Sequence, residues 1–381
     1  MEYIKLRDIC NTTQGIQISK EEQIEKFEYG YIRYLYIADF KNDDNKKFVI
    51  NNYSEKIVTE SDLVMANTGS PGAVFKGING VLSNNLFKIS LDKSIIDRDF
   101  LYYYLSSKKF QDNLKERLKG GVQKHLGHKT IGEQLIPVID LSSQKKIVNV
   151  LDKAQGIINK RKEQIEALDE LVKSQFIEMF GDPVKNTKGW NKCELREGIQ
   201  EIKYGTSTPP VFSEEGIPFI RATNIKVGRI IENDIKYISE DEARKIEKCK
   251  LALGDTIIVR SGANTGDNAF VSEKYVDAYG GYDIIVKLNE KINYIFLNAL
   301  LNSVYRDIII QPLTRRAGQP HLNSEQIQSL VIFTPPIELQ NKFADFVEQV
   351  DKLKFEMQNS LKELEDNFNS LMQRAFKGEL F

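Results

Sequence analysis

The chain has 381 residues, 41% of them hydrophobic and 28% charged, with a formal net charge of −1. That length exceeds one ordinary domain, and the composition is that of a soluble globular protein. Near neutrality argues against coating nucleic acid by charge alone but leaves room for focused basic patches. The opening "MEYIKLRDIC" lacks the apolar core of a secretory signal. No apolar run approaches the ~18–20 residues of a membrane helix, so a cytoplasmic chain is expected. Cys10, Cys193 and Cys249 stand far apart, which fits a reducing compartment and neither a disulfide framework nor a zinc set.

In chain order, short strand-like runs and turns come first. "DLVMAN" (62–67) is an apolar run closed by a Gly-rich turn, as strands are. "RDFLYYYLSSKKFQDNLKERL" (98–118) has the apolar spacing of a helix. A long helix is then expected from about Ser143 to Phe180, with Ser142 or Ser143 as its cap. Leu151, Ile158, Ile165, Val172 and Met179 fall seven apart along it, interrupted by Gly156 and Arg161, and "GDP" (181–183) stops it. A second set of strands and turns follows, including "DTIIVR" (255–260), and "YIFLNALLNSVYRDIII" (294–310) again reads as helix. After Pro335-Pro336 a second long helix is expected from about Ile337 to Phe376, with Phe343, Val350, Met357, Leu364 and Leu371 spaced by seven. Each long helix would measure about 50–57 Å at ~1.5 Å per residue, long for a surface helix and suited to a coiled-coil seam.

The two halves repeat each other. "FLYYYLSS" (100–107) lies 196 residues before "FLNALLNS" (296–303), and "QKHL" (123–126) the same distance before "QPHL" (319–322). Gln144 and Gln340, Leu168 and Leu364, Ser174 and Ser370, and Phe180 and Phe376 keep that offset. Earlier, "SDLVMANTGSPG" (61–72) parallels "GDTIIVRSGANTG" (254–266), with Asp62 and Gly69 on Asp255 and Gly262. "YIRYLYIADF" (31–40) parallels "FIRATNIKVG" (219–228), which sets Arg33 on Arg221. Two similar heads on two long helices fit a ligand with two separated half-sites, and duplex DNA is such a ligand.

Enzymatic motifs are missing from the sequence. There is no Asn-Pro-Pro-Tyr-like methyltransferase loop and no Gly-rich cofactor turn. "GGVQKHLGHKT" (120–130) comes near a phosphate loop, but its spacing is wrong and the second copy reads "GQPHLNSEQ". A metal site at His125 and His128 fails on the same comparison and on ligand number.

At this point the arrangement resembles the specificity (S) subunit of type I restriction–modification enzymes, over essentially the whole chain. "LGDTIIVRSGANTG", "GQPHLNSEQIQSLVIFTPPIELQNKFADFVEQVDKL", "SSQKKIVNVLDKAQGIINKRKEQIEALDELVKSQFIEMFGD" and "GWNKCELREGIQEIKYGTSTP" carry the likeness. The first half departs from it in "NTGSPG" and in lacking Pro-Pro before its helix. The resemblance implies an α+β fold. Its target-recognition domains would span 1–141 and 183–336, with spacer helices at 142–182 and 337–381. The helices would pair as an antiparallel coiled coil with pseudo-twofold symmetry. It also implies a non-catalytic chain that reads an asymmetric bipartite DNA target, with the helices setting the spacer and docking two methyltransferase subunits. Restriction subunits would join, and S-adenosylmethionine, ATP and Mg would act on the partner subunits, with no cofactor or metal in this chain. A recognition subunit of another methyltransferase type and a two-headed protein-binding scaffold are the competing readings.

Arg and Lys suit guanine and phosphate, and Asn and Gln suit adenine. On that chemistry Lys119, Gln123, Lys124, Lys129, Arg315, Arg316 and Gln319 are expected to face DNA around the loop before each long helix. Asn67, Thr68, Arg260, Ser261 and Asn264 occupy the Gly-rich turns, with turn chemistry as their alternative role. Gln14, Gln17, Tyr204, Thr206 and Ser207 flank Gly15 and Gly205. Arg221, with Arg33, suits either a phosphate contact or an internal salt bridge. His125 and His321 are expected to hold their loops in shape.

Overall fold

In the computed structural model of this chain, residues 2–42, 44–118, 125–314 and 320–380 are described. The chain divides into two compact units, Met1–Lys162 with Asn359–Phe381, and Glu163–Gln358. Among the described residues no helix is long and apolar enough to cross a membrane.

The strands of the first unit are β1 (Glu2–Lys5), β2 (Cys10–Gln14), β3 (Tyr31–Leu35), β4 (Lys47–Ile50), β5 (Ile57–Val58), β6 (Leu63–Ala66), β7 (Val74–Lys76), β8 (Gly80–Leu82) and β9 (Leu86–Leu91). Then come α1 (Arg98–Ser106), α2 (Lys108–Leu118), α3 (His128–Gly132), β10 (Leu135–Val138) and the long α4 (Leu141–Phe180). In the second unit follow β11 (Lys192–Glu194), β12 (Ile199–Tyr204), β13 (Phe212–Ser213), β14 (Ile217–Ile220), β15 (Ile225–Lys226), β16 (Arg229–Ile230), β17 (Lys236–Ile238) and α5 (Glu240–Lys245). The chain continues through β18 (Thr256–Ile258), β19 (Asn268–Phe270), β20 (Tyr279–Gly280), β21 (Ile284–Leu288), α6 (Tyr294–Leu301), α7 (Gln311–Thr314), α8 (Ser324–Gln328), β22 (Val331–Phe333) and α9 (Ile337–Lys377).

The sheets repeat. The order β2-β9-β6-β7 in the first unit corresponds to β12-β21-β18-β19 in the second, and β1-β10 to β11-β22. A parallel pair, β3 with β8, corresponds to β14 with β20. The helix expected over 98–118 breaks at Ser107, whose hydroxyl donates to the Tyr104 carbonyl at 2.7 Å. Its counterpart Ser303 donates to the Leu300 carbonyl at 2.6 Å, and a π-helical turn at Arg306–Ile310 follows. Here a serine hydroxyl bonded back onto the helix competes with its continuation.

One part of the expected repeat is corrected. Leu35 pairs with Leu82, whereas Ile220 pairs with Gly280, so the residues after each strand, Tyr36 and Arg221, are the equivalent ones. The local turns agree: Asp39 Oδ2 accepts the Tyr36 N–H at 2.8 Å and Asn224 Oδ1 accepts the Arg221 N–H at 3.1 Å. Arg33 and Arg221 share an Ile-Arg dipeptide but not a position in the fold. Each makes its own internal ion pair, Arg33 with Asp39 at 2.7 Å and Arg221 with Asp234 at 3.0 Å.

Each long helix packs within both units. In the first unit Ile147 and Leu151 of α4 share a core with Phe100, Met372, Ala375 and Phe376. Phe376 meets Tyr104 edge-on at 5.2 Å, and Lys162 pairs with Glu365 at 2.7 Å. In the second unit Phe176 and Phe180 of α4 join Phe296, Phe333 and Phe343 in a ring cluster, with Phe180 and Phe296 at 4.9 Å. Fully burying such a ring stabilises by about 1.5–3 kcal/mol. Lys354 of α9, 6% exposed, meets both Asp169 oxygens at 2.5 Å. Early α4 beside late α9 in one unit, and late α4 beside early α9 in the other, is antiparallel pairing in each. The cap of α4 is Asp140, which accepts the Ser143 N–H at 2.9 Å, in place of the expected serine.

The first turn of each long helix carries a fully buried glutamine. Gln144 Oε1 accepts the Asp97 N–H at 2.7 Å, and its Nε2 donates to Ile95 and Ile139 carbonyls at 2.8 and 2.7 Å. Gln340 repeats all three bonds, accepting from Asn293 at 2.9 Å and donating to Lys291 and Pro335 at 3.2 and 2.8 Å. Asp97 and Asn293 in turn cap α1 and α6. Gln144→Leu is expected to strand three backbone groups and cost about 2–4 kcal/mol. Amide exchange should accelerate at Asp97 and not at Asn293, with the converse for Gln340→Leu. Equal acceleration at both amides in either variant would contradict this assignment.

Candidate nucleic-acid interface

The geometry starts from a backbone crossing. A Cβ at Gly15 would sit 2.1 Å from the Ser83 carbonyl oxygen, and one at Gly205 would sit 1.7 Å from that of Gly281, so only glycine fits. The Gly15 N–H donates to Leu86 and that of Ile16 to Leu82, at 2.9 and 2.8 Å. The matching bonds run from Gly205 to Asp283 and from Thr206 to Gly280, at 3.0 and 3.5 Å. Each crossing brings the end of β2 or β12 beside the turn before β9 or β21. The turn after β6 or β18 closes the group. There the Leu126 N–H donates to the Asn67 carbonyl at 2.9 Å, and the Leu322 N–H to the Arg260 carbonyl at 2.8 Å.

In the first unit amides fill this place. Gln14 Nε2 donates to the Asn84 carbonyl at 2.6 Å, as does Asn67 Nδ2 at 3.1 Å. Asn84 Nδ2 donates to Gln17 Oε1 at 3.1 Å, and Thr68 Oγ1 to Asn85 Oδ1 at 2.9 Å. Asn67 is only 2% exposed, so its amide holds the turn; Gln17, Asn84 and Asn85 are exposed. His128, at the start of α3, bridges Thr12 Oγ1 and Gln14 Oε1 at 2.7 and 2.9 Å. Since Gln14 uses its NH₂ on Asn84 and offers only oxygen, His128 Nε2 is the donor and Nδ1 accepts from Thr12. Burial, then the nearby His125 and Lys56, hold this imidazole below its ordinary pKa, which keeps that neutral tautomer. Lys129 is exposed on the same short helix.

In the second unit a cation lies between rings. The Arg260 guanidinium carbon lies 4.4 Å from the centroids of both Tyr204 and Tyr282. These rings are 37% and 48% exposed, so the clamp opens to solvent. Arg260 Nη2 donates to His321 Nε2 at 3.3 Å, and buried Nε has no hydrogen-bond partner. The Tyr204 hydroxyl donates to Ser324 Oγ at 3.0 Å and accepts the Ser324 N–H at 2.9 Å, tying β12 to the start of α8. Gln14 and His128 make the same strand-to-helix tie in the first unit.

The remaining expected residues fall around these groups. Thr206 is buried, its hydroxyl donating to the Thr208 carbonyl at 2.8 Å, and Ser207 beside it is exposed. Ser261 bridges His321 through the backbone, and Asn264 Nδ2 donates to the Ala222 carbonyl at 3.4 Å. Arg221 is held by Asp234. Lys119, Gln123, Lys124, Arg315, Arg316 and Gln319 lie outside the described residues. Sequence reasoning missed Asn84, Asn85, Tyr282 and Asp283. Their signal is a shared grammar, "SNN" and "GYD" immediately before an apolar strand. Among the described residues no cluster of side chains suits a metal ion.

A profile of the type I restriction modification DNA specificity domain matches residues 1–167 and again 188–366. The chain belongs to this family. It is 26% identical to the type I restriction enzyme MjaVIII specificity subunit of Methanocaldococcus jannaschii, over 92% of this chain and 86% of that one. It is 22% identical to the EcoKI specificity subunit of Escherichia coli, over 98% and 87%. The solved S subunit of a type I restriction–modification system from M. genitalium has a similar fold, with a TM-score of 0.56 at 17% identity, covering 98% of this chain and 96% of that one. A chain solved in work on complex assembly and conformational transition of the type I R-M system gives 0.61 at 17% identity, covering 100% and 98%.

Within this specificity-domain chain Asp283, 3% exposed, accepts the Arg260 N–H at 3.3 Å. Burial pushes its carboxyl up to about 6, against the opposing pull of that N–H and of the Arg260 charge. A carboxyl harder to ionise folded than unfolded adds stability below about pH 4 and withdraws it as pH rises through about 6. Asp283→Asn keeps the acceptor and removes the charge. It is expected to be more stable than the parent by on the order of 2 kcal/mol at pH 7 and equal to it near pH 4. Thermal unfolding of both proteins at the two pH values checks this; a gain of equal size at both would refute the ionisation argument.

Proposed function

We propose that this chain is the non-catalytic DNA sequence-recognition subunit of a type I restriction–modification enzyme, reading an asymmetric bipartite target with one half-site per unit. The observation that carries this reading is one backbone framework built twice and filled with different polar side chains. Equal frameworks suit the common geometry of duplex DNA, and different fillings suit different bases. The long helices set the distance between half-sites and dock two methyltransferase subunits. Methylation and cleavage belong to methyltransferase and restriction partners, where S-adenosylmethionine, ATP and Mg²⁺ act. The small net charge of −1 fits a chain that shares its phosphate contacts with those partners.

Co-expression with the neighbouring methyltransferase, followed by methylome sequencing, tests this. A single asymmetric bipartite motif is expected; an unmethylated genome would count against DNA recognition. Arg260→Gln is expected to relax one base position of one half-site, at a cost of about 1–3 kcal/mol in discrimination. Arg315→Ala with Arg316→Ala, nominated by sequence alone, is expected to weaken binding on all sequences and reduce the salt slope by about 1 for each phosphate no longer neutralised. An unchanged salt slope would remove that pair from the interface.

A further inference from the structure

Counted forward from the backbone crossing, Gln17 falls on Ser207 and Asn84 on Tyr282, with Asn67 on Arg260; the turn between them is one residue longer in the first unit, where Gly15 bonds to Leu86 and Gly205 to Asp283. The bonds that fix this correspondence are main-chain ones: Ile16 to Leu82 with Thr206 to Gly280, and Leu126 to Asn67 with Leu322 to Arg260. The framework is therefore indifferent to which side chains it presents, and those side chains differ in hydrogen-bonding character.

In the first unit Asn84 spends a donor on Gln17. Among the described residues, Gln17 Nε2 and Asn84 Oδ1 then have no hydrogen-bond partner, and both residues are exposed. The pair presents one donor and one acceptor to solvent. Adenine offers an N7 acceptor beside an N6–H donor in the major groove, which is the complement of that pair. In the second unit the Arg260 guanidinium carbon lies over both tyrosine rings, 4.4 Å from each centroid. A ring face against the guanidinium leaves its N–H edge for hydrogen bonds: Nε is buried and Nη2 turns to His321, while Nη1 has no hydrogen-bond partner among the described residues. A guanidinium edge holds donors only, and guanine offers two acceptors, O6 and N7. Two large, half-exposed aromatic rings clasping one cation also fix its plane, so little side-chain freedom remains to be lost on contact with a base.

We infer that these equivalent positions form one base-reading socket, filled in the first unit by Gln17 and Asn84 to select an adenine-bearing pair. In the second unit it is filled by Arg260, with Tyr204 and Tyr282 as its positioning clamp, to select a guanine-bearing pair. This inference rests on the DNA-recognition reading above and adds to it the residues and the base each unit selects.

The test uses the chain co-expressed with its methyltransferase, and the methylated motif is the readout. Asn84→Ala and Gln17→Ala are expected to lower discrimination about tenfold or more at one shared adenine-bearing position of one half-site, leaving the other half-site intact. Tyr282→Ala is expected to relax the guanine-bearing position that Arg260→Gln relaxes, and Tyr282→Phe, which keeps the ring face, to restore it. All three sites are exposed, so loss of folding is not the expected result, and retained methylation of the unaffected half-site checks it. The socket is overturned if a wild-type motif persists unchanged in the Asn84 and Gln17 variants. It is also overturned if Tyr282→Ala and Arg260→Gln relax different positions, or if the relaxed bases are not adenine and guanine. In those cases DNA recognition still stands. If the wild-type complex yields no bipartite motif, DNA recognition fails and the socket fails with it.

Discussion

Each half of the molecule depends on a side-chain amide buried at the root of its long helix. Gln144 and Gln340 each make three bonds to backbone groups, joining the helix entrance to the cap of the helix before it. An apolar residue of the same volume would leave those groups unpaired, and an ionised one would bury a charge. The amide therefore fixes where each long helix leaves its head. The aromatic packing that follows, Phe376 in one unit and the Phe176–Phe180–Phe343 group in the other, builds on that fixed exit.

The heads keep their shape in a different way. Their correspondences run through main-chain bonds and through Gly15 and Gly205, where two backbones touch with no room for a Cβ. Main-chain bonds place few demands on side-chain identity, so amides can stand in one unit where a cation and two rings stand in the other. The tie from strand to short helix shows the same tolerance: a Gln–His pair in the first unit becomes a Tyr–Ser pair in the second. A rigid framework with replaceable side chains is what a recognition domain with its own target in each copy requires.

Much of this was legible in the sequence because the duplication is gapless from Phe100 to Phe180. Ser107, Gln144 and Phe180 found counterparts there, at Ser303, Gln340 and Phe376, and helix periodicity gave both long helices to within a few residues. Before Phe100 the copies differ by insertions, and a two-residue likeness, Ile-Arg, outweighed the true register. That register is set by a parallel strand pair whose members lie 47 residues apart, Leu35 and Leu82, and such pairing leaves no local pattern. The site divided along the same line. Arg260 and Tyr204 stood out through their own chemistry in Gly-rich surroundings. Tyr282 and Asn84 gain their meaning from a crossing strand, and Asn67 lost its apparent role once its amide was seen bonded inward.

Affinity and selectivity are separable in such a chain. Several of its arginines are already engaged: Arg7 with Glu133, Arg33 with Asp39, Arg229 with Asp169, Arg306 with Asp267. An arginine already beside a carboxylate has part of its charge neutralised and some of its donors in use, so it adds less to phosphate attraction than a free one. Arg260 differs, because rings and not an acid hold its guanidinium, and its neighbour Asp283 bonds only its backbone N–H while burial opposes ionisation of that carboxyl. A cation held by π-faces keeps its hydrogen-bonding edge and its charge for the ligand. On the proposed reading the physical division is this: a chain of nearly zero net charge would contribute oriented hydrogen-bonding edges that tell bases apart, and the bulk of the phosphate attraction would fall to the partners of the proposed complex.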